Sequence, residues 1–250
     1  MTDRLLLLRA LAEAVTLSGP RPGGGDGPSA AERLCRAAAD LLGAAGAALT
    51  CAPAEPGRYT ACATDEVAAR LAELEDLVGD GPAARAARHG RTVGTVLGPG
   101  APARSADLAP DAAEVPPVFV VLAADVLAAE APVAIRSWPV RVAGRPVAAL
   151  TVHGPAGCAT TEARADGQVL ADALAPVLVG PAVAAAPARE RRDRAVGMLV
   201  AQTGLAPDDA AALLQARAWA EDVAVADLEG AVLGRTTSFA DGDAPGPLPA

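Results

Sequence analysis

The chain has 250 residues, 52% of them apolar, so it can bury a real core and wholesale disorder is excluded. Its formal net charge of −9 excludes a general phosphate-coating nucleic-acid binder, leaves room for a local basic face, and gives no attraction to an anionic membrane surface. All 21 basic residues are arginine and the aromatics are two Trp, two Phe and one Tyr. A GC-rich coding bias accounts for this, so the abundance of Arg or Ala carries no argument by itself.

In chain order, Thr2–Leu17 has apolar residues at helical spacing and stops at Ser18-Gly19-Pro20. Arg9 and Glu13 interrupt the Leu5–Leu8 run, and no cleavage site follows, so it does not read as a secretory signal. Arg21–Pro28 is a flexible linker; its glycines follow no strand and lack the lysine of a phosphate loop. Ser29 and Glu32 predict a capping box opening a helix that runs to Gly43. Ala47–Ala52 and Arg58–Ala63 read as strands around a turn at Pro53–Gly57.

Thr64 or Asp65 starts the next helix, with Val67, Leu71, Leu74 and Leu77 or Val78 as its apolar stripe. A short helix from Pro82 to Gly90 leads to a strand at Thr92–Leu97, an irregular loop at Gly98–Pro110 and a helix at Pro117–Glu130. The apolar stretch Val115–Ile135 contains Asp125 and Glu130, which argues against a membrane span; a cytoplasmic location is expected. Val133–Val142 and Arg145–His153, turned at Ala143-Gly144, form an antiparallel hairpin. Thr160 or Thr161 opens a helix running to about Val179, where Gly180-Pro181 ends or bends it.

Helices mixed with antiparallel hairpins predict an α+β unit: an antiparallel sheet covered by the unit's first and last helices. The composition changes again at Ala182–Pro187. Beyond it Ala188–Thr203, Pro207–Asp222 and Val225–Arg235 read as three helices, with Gly204 as the C′ residue of the first and Pro207-Asp208-Asp209 opening the second. The expected organisation is therefore 1–27 N-terminal helix and linker, 28–181 α+β domain, 188–239 small all-α domain, and 240–250 disordered tail. So small a helical core calls for dimerisation or docking on the preceding helix.

Little in the chain suggests catalysis. Cys35, Cys51, Cys62 and Cys158 show no metal-ligand spacing, and buried thiols are the simplest reading. His89 and His153 lie far apart, and neither is flanked by carboxylates in a metal pattern. Asp65-Glu66 and Glu73-Glu75-Asp76 read as helix-start and solvent-face charges. With nucleophile elbows and paired catalytic carboxylates also absent, neither an enzyme nor a cofactor or metal is expected.

The run from Arg194 through Ala195, Gly197, Met198 and Leu199 to Gly204, followed by Pro207–Ala210 and Leu213-Leu214, resembles the ANTAR family over Arg189–Arg235. Those are three-helix modules that bind structured RNA and regulate transcription antitermination. The preceding region, about Ala31–Val179, resembles a GAF domain of the kind found before ANTAR in actinobacterial regulators. Ala31–Cys35, Cys62–Glu66, Gly79–Pro82, Trp138–Val140 and Gly144–Leu150 carry that likeness.

The resemblance implies a GAF-like sensory domain, with a small-molecule ligand and His89 near the pocket loops, followed by an RNA-binding domain in a homodimer. Ala195, Leu199, Ala210, Leu214 and Ala218 become the small-residue core, and a close helix approach explains Gly197, which otherwise costs about 1 kcal/mol relative to alanine. Arg189, Arg191, Arg192 and Arg194, with Arg217, become the RNA contacts, since guanidinium suits phosphate and unpaired bases. Trp219 is assigned to core packing.

Glu190 and Asp193 interrupt the same run, so it reads equally as a solvated helix face, and Ala188–Phe239 holds six arginines against eight carboxylates. The chain also departs from the family pattern at Ala211, Gln215 and Glu229, and has Ala83 where a cysteine often follows Gly-Pro. The alternative is a signalling or dimerisation protein whose helical module does not bind RNA.

Overall fold

The computed structural model describes residues 4–17, 29–51, 59–99, 115–127, 131–155, 161–179 and 187–239. The expected linker at 21–28, the turn at 53–57, most of the 98–110 loop, the junction at 182–186 and the 240–250 tail lie outside the described residues. The chain divides into two compact units, Met1–Ala184 and Ala185–Ala250.

The first unit is α+β. Its elements are α1 (Arg4–Leu17), α2 (Ala30–Leu41), β1 (Gly46–Cys51), β2 (Tyr59–Ala63), α3 (Glu66–Val78), α4 (Pro82–His89) and β3 (Val93–Leu97). α5 (Pro117–Leu127), β4 (Val133–Val142), β5 (Arg145–Pro155), α6 (Thr161–Ala173) and α7 (Ala175–Val179) follow. The strands form one sheet in the order β2-β1-β5-β4-β3, every neighbouring pair antiparallel.

Local signals account for several boundaries. The Ser29 hydroxyl accepts from the Glu32 N–H at 3.1 Å and Glu32 Oε2 accepts from the Ser29 N–H at 2.6 Å, completing the capping box of α2. Ala143 and Gly144 both have positive φ, 50° and 78°, as a two-residue turn matching strand twist requires.

Alternation along the strands sorts side chains between two faces. One face presents Leu49, Trp138, Val140, Leu150 and Val152 to Leu7 and Leu11 of α1, Cys35 of α2, and Leu170 and Leu174. Each such aliphatic side chain contributes about 1.5–3 kcal/mol on full burial. Gly167 belongs to this contact, because a Cβ there would meet the Trp138 ring at 2.3 Å. The other face is not left to the first and last helices: α3 packs on β1 and β5, and α4 on β4 and β5.

Two helices differ from expectation. The 160–179 helix is broken at Leu174, because Pro176 has no N–H for the Asp172 carbonyl and its ring crowds that carbonyl. In α3 the buried residues are Ala68, Leu71, Ala72, Leu74 and Glu75, whereas Leu77 is 38% exposed. Position 77 lies about 200° around the helix from 75, away from the sheet.

The second unit consists of α8 (Pro187–Thr203), α9 (Pro207–Ala220) and α10 (Val225–Leu233). Gly204 has φ 72° and its N–H donates to the Val200 carbonyl, ending α8 as a left-handed C′ residue. Pro207, Asp208 and Asp209 occupy the first turn of α9. Ala195, Leu199, Ala210, Leu214 and Ala218 are all buried, joined by Val225, Leu228 and Val232 of α10. Among the described residues no helix is long and apolar enough to cross a membrane.

Candidate functional site

Of the five arginines that the resemblance assigns to RNA, α8 carries Arg189, Arg191, Arg192 and Arg194, and α9 carries Arg217. The buried stripe of α8 is Ala195 and Leu199, one turn apart, and Arg191 lies one turn before them on the same stripe. Arg191 therefore leans toward α10, where its Nε donates to Glu229 Oε2 at 3.1 Å. The Glu229 side chain is only 6% exposed. Burial pushes its carboxyl above the ordinary value, and the hydrogen bond and charge of Arg191, with the charge of Arg192, pull it partly back. The glutamate that departs from the family pattern is thus compensated by an arginine 38 residues away.

The remaining arginines have different settings. Arg192 is half-buried beside this pair, and Arg194 is exposed, as are Gly197 and Ala201. Arg189 lies in α8, but its side chain is outside the described residues. Arg217 is drawn into the unit's own structure. It donates to Glu221 at 2.7 Å and to the Ser238 carbonyl at 3.2 Å, and its guanidinium sits 4.7 Å from the Phe239 ring centroid. Phe239 N–H in turn donates to Gln202 Oε1, so this cluster ties the segment after α10 to α8 and α9.

The expected cationic strip is therefore not one surface. Arg191 and Arg217 bond within the unit, Arg192 is half-buried like them, and Arg194 is exposed. Gly197 also differs from expectation: a Cβ there would meet nothing within 4 Å, so no close helix approach among the described residues accounts for it. Met198 is partly buried against the core, and Trp219 is half-buried.

The first unit holds a small pocket between the sheet and α3, with an accessible lining that is mostly apolar. Thr50, Thr151 and His153 line the sheet side, and Leu71, Ala72 and Glu75 the helix side. The cavity volume is about 10 Å³, room for about one water and far below the roughly 300–1,000 Å³ of ordinary small-molecule sites.

Glu75 is buried rather than solvent-facing. Its two carboxylate oxygens accept from the N–H groups of Ala83 and Ala84 at 3.1 and 3.0 Å. Gly81, the N-cap of α4, offers no side chain, so Glu75 satisfies the helix end in its place. A Cβ at Gly81 would meet the Glu75 Cγ at 2.5 Å, so that approach requires glycine.

His153 Nε2 lies 3.0 and 3.1 Å from the two carboxylate oxygens of Asp65. Asp65 also caps α3 by accepting from the Ala68 N–H at 2.7 Å. The Ser137 and Thr151 hydroxyls are 2.7 Å apart across β4 and β5. These groups orient backbone and one another. His89 is exposed at the C-terminus of α4 and does not line the pocket.

Among the described residues no group of three or more His, Cys, Asp or Glu could hold a metal ion. Comparison with protein-family models, curated proteins and solved structures returns no match for this chain.

Proposed function

We propose that this protein is a non-enzymatic regulator that binds structured RNA through α8–α10 and receives a small-molecule signal in its α+β unit. Contact falls chiefly to Arg194, the exposed arginine of α8, rather than equally to all five arginines of the sequence reading. One observation carries the reading: the inward stripe of α8 is the run Ala195–Leu199 assigned to packing, and Arg194 stands on the exposed side. In a homodimer two such faces would grip RNA hairpin loops and keep a terminator from forming.

A second reading, a protein-interaction module without RNA binding, is favoured by a different observation. Arg191 and Arg217 are engaged within the unit, and six arginines face eight carboxylates over Ala188–Phe239.

The test is binding of the full chain to a paired-hairpin RNA at two salt concentrations. The RNA reading predicts affinity that falls with salt, the slope dropping by about one for each phosphate contact removed by Arg192→Gln or Arg194→Gln. A folded protein that fails to bind at low salt, or binds with a slope both substitutions leave unchanged, overturns it in favour of the interaction module.

A further inference from the structure

Cys35 and Cys62 meet where α2 packs on β2. Their Sγ atoms are 3.0 Å apart, both residues are buried, and both are free thiols. A disulfide needs about 2.05 Å between sulfurs, so closure asks for a movement of about 1 Å. The two thiols occupy different positions. Cys35 is wholly buried on α2, where the hydrogen bond with Cys62 and burial hold it as the neutral thiol. Cys62 is 7% exposed and lies on β2, an outermost strand of the sheet. Cys51, on β1, shares the same core and supplies an internal control.

We propose that Cys35 and Cys62 form a peroxide-reactive dithiol that closes to a disulfide, with Cys62 oxidised first and Cys35 resolving. The oxidant is a hydroperoxide. The Cys62 sulfur attacks the distal peroxide oxygen, an S–O bond forms, the O–O bond breaks, and water or an alcohol leaves with the thiol proton. The Cys35 sulfur then displaces hydroxide from the sulfenic acid, forming the S–S bond; hydroxide and the Cys35 proton leave as water. The dithiol loses two electrons and the peroxide gains them. The product would pin α2, which also packs on α1 and β1, to the sheet edge.

The experiment uses the full chain, treated with hydrogen peroxide under native conditions, then alkylated and analysed by mass spectrometry. The expected result is loss of two alkylatable thiols, a Cys35–Cys62 cross-linked peptide, and a melting temperature raised by several degrees and restored by dithiothreitol. Cys51→Ala should leave the cross-link intact. In Cys35→Ala, shown folded by circular dichroism, a sulfenic-acid trap should label Cys62. Retention of all four alkylatable thiols, a bridge through Cys51 or Cys158 instead, or stepwise over-oxidation of Cys62 with Cys35 present would each overturn the proposal.

Discussion

The two units solve the burial of polar groups differently. In the α+β unit Glu75 and Asp65 each satisfy backbone N–H groups at a helix start, and large side chains such as Trp138 and Phe119 fill the space around the sheet. In the helical unit the buried apolar residues are only Ala, Leu and Val, and the buried Glu229 is met by Arg191. A carboxylate shared with the backbone belongs to the fold's own hydrogen bonding, whereas one answered by a single long side chain can be replaced without redesigning the chain trace. The helical unit should therefore be the more easily broken and the more easily altered.

The largest expected effects come from emptying each core. Trp138→Ala should cost about 3–5 kcal/mol and Leu214→Ala about 2–5 kcal/mol. Each should lower the melting transition of its own unit in calorimetry of the full chain. If either substitution shifts both transitions equally, the units are one cooperative body and the comparison fails.

Next is Glu75→Ala, which leaves the buried amides of Ala83 and Ala84 without their acceptor and should cost about 1–3 kcal/mol. Hydrogen exchange at those two amides should quicken while α8 to α10 are unaffected. Unchanged protection would show that the cap does not hold α4.

Gly197→Ala is expected to stabilise the helical unit by about 1 kcal/mol, because helix propensity improves and a Cβ meets nothing nearby. A melting temperature that falls instead, and falls more at higher protein concentration, would place a second copy against that face.

The smallest effects are in pH dependence, and the units should differ in sign. Glu229 is raised by burial, so the unfolded chain releases that proton first. Its contribution is full below the ordinary glutamate range, declines as pH rises through the folded value, and is level above it. Asp80 is lowered chiefly by its hydrogen bond to Arg85, so its contribution is present above the ordinary range and lost as pH falls through the folded value. Melts across the acidic range should show Glu229→Gln removing the first slope and Asp80→Asn the second. A wild-type slope that survives either substitution assigns it to another group.

Much of the architecture could be read directly from local pattern. Ser29 with Glu32, Ala143-Gly144 and Pro207-Asp208-Asp209 act over a few residues, and their structures follow from donors, φ angles and dipoles that need no distant partner. The α8–α9 core was legible for the same reason, since Ala195, Leu199, Ala210, Leu214 and Ala218 fall on helical stripes. The same stripes would have shown that Arg191, one turn before Ala195, turns toward the core. Pro176, too, was in view as the cause of the break before α7.

Other assignments depended on what lies across the fold. Glu75 had the composition of a surface residue until α4 brought two N–H groups to it from eight and nine residues away. His153 became part of a cap only when β5 brought it to Asp65, 88 residues distant. Sequence periodicity determined which faces turn inward, where helices start and stop, and that an antiparallel sheet precedes a helical unit. Tertiary structure alone decided that Glu229 meets Arg191 and that Cys35 meets Cys62, because a long-range pair is selected by three-dimensional packing and leaves no local period in the chain.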